Sequence, residues 1–168
     1  MTPDERRILR HFLAAIAYRT QKAVRGHPKW WGDFRAAKGV RTPHELLRHM
    51  RSVLGYARTH FTGGTYRATM AESFDAEIEQ FHHMLELLGR NVDSDDLTDT
   101  TPDRLLQGPL SDTMTHVGQL SILRRLAGAP IPPENFIVAD MSGDNLSSDQ
   151  AEANSPDKVW YEAEEEPR

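Results

Sequence analysis

The chain has no cysteine, which excludes disulfides, thiolate metal ligands and a cysteine nucleophile. Any thiol chemistry must use a thiol that a substrate brings. No apolar run approaches the ~20 residues of a membrane-spanning helix, and Met1 to Phe12 lacks the basic-then-apolar layout of a secretory signal. A cytoplasmic location with no membrane partner is therefore expected. Charge of one sign is also scarce: the formal net charge is -5, and much of it lies in Glu162 to Glu166, so a nucleic-acid groove is not expected. There is no repeat period and no glycine-rich phosphate loop. At 168 residues with 38% hydrophobic side chains, the chain is most economically one domain, long enough to bury a core.

What is present is a series of helical signals. Thr2-Pro3-Asp4-Glu5 combines a threonine N-cap, a first-turn proline and a glutamate three residues after the cap, and Ile8, Phe12, Ala15, Ile16 and Ala23 give a stripe running to about Gly26. Gly26 to Arg41 reads as a loop carrying Trp30-Trp31, aromatics expected to pack down. Thr42-Pro43-His44-Glu45 repeats the capping box, and Leu46, Leu47, Met50, Val53, Leu54 and Ala57 supply a second stripe. Phe74, Ile78, Phe81, Leu85 and Leu88 form a third. Asn91 to Thr100 reads as a polar connector, and Thr101-Pro102 starts a short helical piece leading to the last helix.

That last helix, Gly108 to Gly128, presents Leu110, Met114, Val117, Leu120, Leu123 and Ala127 at steps of three and four. Gly108-Pro109 marks its start or a kink; Arg124, Arg125 and Gly128 suit its end. Beyond it, Pro130, Pro132 and Pro133 forbid a regular helix. Asn135 to Val138 reads as an extended arm along the bundle, and the segment from Ser142 onward as irregular, anchored by Trp160 and Tyr161. Four amphipathic helices cover one core as a bundle, so the expected organisation is an all-α four-helix bundle over residues 1–140 and an irregular acidic tail over 141–168.

Polar residues beside two of the stripes carry the chemistry. Asp112 and His116 are four residues apart and stack one turn above the other. His49 lies three after Leu46 and four before Val53, so the helix that buries those residues points its imidazole inward. Together they form a 2-His-1-carboxylate set that leaves coordination positions open for water or substrate. Gln119, one turn beyond His116, is placed to orient a ligand. His44 in the first turn is expected to be exposed; His60 is roughly 16 Å along the helix from His49, at 1.5 Å per residue, and cannot share an ion with it. His11 reads as a surface residue, as does the His82-His83 pair, with His82 nearer the core edge.

An inward histidine in the second helix, followed by [His/Asp]-x3-His-x2-Gln and a Leu-Arg-Arg-Leu-x-Gly ending, resembles the DinB/YfiT-like superfamily. His49 in ELLRHM and Asp112, His116 and Gln119 in DTMTHVGQLSILRRLAG carry the likeness. The resemblance implies an antiparallel four-helix bundle, often dimeric, with a divalent metal held by three histidines. It also implies kinship with thiol-dependent S-transferases and isomerases that use bacillithiol, mycothiol or glutathione. Asp112 stands where the family has its first helix-four histidine, and a carboxylate is a legitimate ligand for zinc, nickel or iron.

Three functions fit these residues. The first is an enzyme in which His49, Asp112 and His116 hold a divalent metal, the open position takes a low-molecular-weight thiol or water, and an electrophilic small molecule enters near Trp30, Trp31 or the C-terminal arm. The second is a non-catalytic dimeric or ligand-binding bundle whose same three residues form a hydrogen-bonded polar cluster. The third is a metal-dependent hydrolase.

Overall fold

A computed structural model describes residues 1–153. It is all-helical, with no strand among the described residues. The long helices are α1 (Pro3–Val24), α2 (Pro43–Thr62) and α3 (Phe74–Ser94); a short α4 (Pro102–Leu105) passes through a π-helical turn, Leu106–Leu110, into α5 (Ser111–Leu126). Helices α1 and α2 each pack against both α3 and α5, so one core lies between the four long helices. Trp160 and Tyr161, the expected anchors of the tail, lie outside the described residues.

Both capping boxes form. Thr2 Oγ1 accepts from the Glu5 amide at 3.3 Å while Glu5 Oε2 accepts from the Thr2 amide at 2.7 Å; Thr42 and Glu45 repeat the pair at 3.2 and 2.8 Å. Each box satisfies two donors that a helix start otherwise leaves unpaired. The stripe of α1 differs from the expected one at its start. Ile8 is 49% exposed and Leu9 is buried, because Leu9, Leu13, Ile16, Thr20 and Val24 follow the helical period and place Ile8 about 100° away. Leu13, Ile16, Leu47, Met50, Leu54, Phe81, Leu85 and Leu120 are fully buried at the centre.

Helix α3 runs one turn further than its polar sequence indicates. Val92 is buried, and the Arg6 guanidinium of α1 donates to the carbonyls of Val92 and Asp95. An arginine 86 residues away thus satisfies the helix end. The loops are also pinned. Arg51 of α2 and Glu77 of α3, both buried, pair at 2.6 and 3.1 Å, and Glu77 also accepts from the Ala71 amide at 3.0 Å. His44, expected at the surface, is instead half-buried, with its ring 5.9 Å from Phe74 and its Nε2 3.7 Å from Glu77. The α2–α3 loop folds back along α2, where Arg51 donates to the Thr69 carbonyl and Ser52 accepts from the Ala68 amide, and the start of α3 covers His44.

Trp31 is sealed in the core beside Phe74, with the Arg124 guanidinium 5.3 Å from its ring, whereas Trp30 is exposed. The chain after α5 is not an extended arm: Phe136–Val138 is a single 3-10 turn. Only Phe136 anchors it, beneath the Arg19 guanidinium at 3.8 Å; Ile137 and Val138 face solvent. Glu134 is held by Tyr18 Oη at 2.6 Å and Lys22 Nζ at 2.7 Å. The irregular segment beyond it packs down through Leu146 and Gln150, both buried. Leu146 joins the common core.

Candidate metal centre

Helices α2 and α5 meet at His49, Asp112 and His116. One donor atom from each lies within 4.8 Å of the other two. Among the described residues this is the one group of three or more histidines and acids placed to hold an ion. The π-helical turn helps to set the register of α5. Pro109 lacks the amide hydrogen that an α-helix would use, and the wide turn accommodates it. The Ser111 hydroxyl donates to the Leu106 carbonyl at 2.7 Å and the Thr113 hydroxyl to the Pro109 carbonyl at 2.8 Å. The Ser111 amide donates to the same Leu106 carbonyl, so the turn is held by backbone and side chain together. From there Thr113, Val117 and Leu120 point into the core, and Asp112 and His116 face α2.

His116 is buried, His49 half-buried and Asp112 exposed, so the cluster opens on one side. The His49 and His116 rings are 4.9 Å apart at 76°. His116 Nδ1 lies 3.0 Å from Gln119 Oε1; that oxygen only accepts, so Nδ1 is the donor and Nε2 is the nitrogen turned toward the cluster. Nε2 faces Asp112 Oδ1 at 3.5 Å. Two donors ~2.1 Å from a tetrahedral ion are about 3.4 Å apart, so this pair already has the separation a metal needs, and a His49 donor lies within 4.8 Å of both. Burial, chiefly, and then the Arg41 cation and His116 hold the His49 pKa below its ordinary 6.5, against the opposing pull of Asp112. A neutral imidazole is the ligand form. The donor set, the tautomer fixed by Gln119 and the open face all fit a divalent ion.

A cleft of about 1030 Å³ adjoins the open face, with Asp112 and Thr115 on one wall and Val53, Tyr56 and His60 on the other. Its floor comes from the connector and the π-helical turn, through Asp99, Arg104 and Gln107. That cleft lies at the α2/α5 seam; smaller cavities lie against the C-terminal arm at Ile131 and Phe136 and beside Arg41 and Gln119.

The remaining sequence candidates fall elsewhere. His60 is absent from the cluster and pairs through Nδ1 with Asp99 Oδ1 at 2.6 Å. His11 and His83 are at the surface, but His82 is buried and its Nδ1 donates to the Leu146 carbonyl at 3.0 Å. Two features escaped the sequence reading. Glu77 is buried at the azimuth of Phe74, Ile78 and Phe81, so the helical period carried a signal for it. The His60–Asp99 pair spans 39 residues and joins a helix end to an aperiodic loop, which leaves no such signal.

No family model, curated protein or solved structure matches the chain. The group at His49, Asp112 and His116 could hold a metal ion on its geometry alone.

Proposed function

We propose that the chain is a DinB/YfiT-like protein, an antiparallel four-helix bundle that holds zinc, nickel or iron at His49, Asp112 and His116. Its activity is metal-dependent transfer to or from a low-molecular-weight thiol. One observation supports a metal reading over a polar core cluster: the three side chains converge without satisfying one another. The closest approach among them, 3.5 Å between His116 Nε2 and Asp112 Oδ1, is longer than a good hydrogen bond. His49 makes no side-chain hydrogen bond among the described residues. A polar cluster that served only to join the two helices would pair its members directly, whereas here the gap between them opens to solvent on the Asp112 side.

A divalent ion held by His49, Asp112 and His116 would lower the pKa of a bound thiol or water, supplying a nucleophile at neutral pH. The chain's own residues do the rest. Gln119 holds the His116 ring and its tautomer, and the buried face of α5 fixes both ligands on a rigid helix. The cleft admits the substrate from the side of Asp112. The proposal includes a homodimer, supported by Ile122 and Leu126, which lie one turn apart on α5 and are 54% and 61% exposed.

The deciding measurement is elemental analysis of untagged protein beside His49→Ala. About one equivalent of metal per chain is expected in the wild type and none in the variant, followed by turnover that requires an added thiol. Absence of metal in both after reconstitution with zinc, nickel or iron would overturn the metal centre. Turnover of an ester or amide without thiol would reassign the metal to hydrolysis.

A further inference from the structure

A second cavity lies on the far side of α5 from the metal cluster. Met114 and Gly118 line it, and each is two residues from His116, which puts them about 160° round the helix from that ligand. Helix α1 forms the opposite wall through Arg19 and Lys22, and the proline arm closes the cavity through Ile131, Pro132 and Phe136. Its volume is about 340 Å³, at the lower end for small-molecule sites.

The fold supplies an acid for only part of the positive charge here. The Glu134 side chain is sealed from solvent, and both of its oxygens are taken, Oε1 by Tyr18 Oη at 2.6 Å and Oε2 by Lys22 Nζ at 2.7 Å. Arg19 is left over. Its guanidinium lies 3.8 Å from the Phe136 ring, its Nε is buried without an acceptor, and it has no hydrogen bond or ion pair among the described residues. Other inward arginines are met: Arg51 by Glu77, Arg124 by the carbonyls of Ala23, Arg25 and Ala129. Burial accordingly holds the Arg19 pKa below its ordinary value, with Glu134 opposing. Arg125 adds a further positive charge at the same cavity. A half-buried planar cation without a carboxylate, set in a cavity wall, calls for an anion from outside.

Gly118 is an independent sign of a ligand. Glycine weakens the interior of a helix relative to alanine, and packing does not demand it at this position, since a Cβ there would meet nothing within 4 Å. The space that its missing side chain leaves belongs to the cavity.

We infer that this cavity binds a small apolar monocarboxylate, with its carboxylate on the Arg19 guanidinium and its body between Met114, Val117, Ile131 and Pro132, over Gly118. A planar carboxylate matches the guanidinium fork. A single charge suits the site better than a phosphate, whose second charge would be opposed by the Glu134 carboxylate in the same wall. No metal enters the argument, so the inference stands apart from the proposed function.

The test uses full-length protein stripped of metal and the probe 3-phenylpropionate, with its uncharged amide for comparison. Binding is read from backbone amide shifts at residues 114–121 and 131–136. Saturable binding is expected, about tenfold weaker for the amide and for Arg19→Gln, with Arg19→Lys recovering part of the loss. Gly118→Leu fills the cavity and is expected to abolish binding while helix content and Tm stay at or above the wild-type values. Arg90→Gln, a surface arginine outside the cavity, is expected to bind as the wild type does. Absence of saturation up to about 10 mM, equal affinity for acid and amide, or undiminished binding by Arg19→Gln overturns the inference. Because a divalent metal also takes carboxylates, metal-loaded protein is titrated beside His49→Ala. Unchanged binding in that variant is expected, and binding that needs His49 but not Arg19 puts the acid on the metal centre and overturns the cavity reading. Failure of the metal centre itself leaves the Arg19 and Gly118 results intact.

Discussion

Gln119 makes one hydrogen bond that matters to the site, 3.0 Å from its Oε1 to His116 Nδ1. Without it the ring is free to present either nitrogen toward the cleft. Gln119→Leu is therefore expected to weaken metal affinity by roughly 10–100-fold while leaving the helix content unchanged, since outer-shell partners of ligating histidines contribute on that scale. Competition with a chromophoric chelator measures it, and equal affinity in the variant would remove Gln119 from the centre. Asp112→His tests the adjacent position. The side chain faces the cleft at 50% exposure, so an imidazole has room, and metal should be retained or bound more tightly. Loss of metal there would mean that Asp112 serves another purpose. At this scale the convergence of His49, Asp112 and His116 was legible because each sits at a defined azimuth: a four-residue step stacks Asp112 on His116, and apolar neighbours three and four residues away orient His49. The His60–Asp99 pair was not legible. Its placement depends on how a loop of polar residues folds across a helix end, and no period encodes that.

Helix boundaries were legible where the chain supplies its own cap and obscure where a distant residue does so. Thr2 and Thr42 start their helices through glutamates three residues on. The end of α3 depends on Arg6, and its polar sequence gives no hint of it. The Arg51–Glu77 pair is a third case, because two ionised groups are buried between α2 and α3 and tie down the loop at Thr69 and Ala71. Removing one partner leaves the other charge buried alone, so Glu77→Ala is expected to destabilise the chain by ~3–5 kcal/mol. Replacing both, Arg51→Met with Glu77→Leu, should recover much of the loss, since apolar groups of similar volume need no desolvation. Urea unfolding of the two single variants and the double variant closes the cycle. A double variant as unstable as the sum of the singles would show that the loop bonds, and not the charge pair, dominate.

At the scale of the whole molecule, His82 links α3 to the segment that follows α5. Its ring is 1% exposed; Nδ1 donates to the Leu146 carbonyl, and Nε2 is buried without a partner. Burial holds its pKa below the ordinary 6.5, against the opposing effects of that hydrogen bond and of Glu79 and Glu86. The folded chain therefore keeps His82 neutral at a pH where the unfolded chain has begun to protonate it. Stability from this residue is fully present above pH 6.5 and is lost as pH falls through 6.5 toward the lower folded value. One proton sets a limiting slope of about 1.4 kcal/mol per pH unit. His49, whose pKa is also lowered, contributes with the same sign in metal-free protein. His82→Gln should thus flatten one proton's worth of the acid slope as pH falls below 6.5, and leave the rest. Metal-free protein unfolded in urea across that range, with hydrogen exchange at residues 144–150, separates the two histidines. The variant should lose acid sensitivity at that segment specifically. If its stability profile overlays the wild type, the neutral, buried His82 is not what the tail's docking depends on.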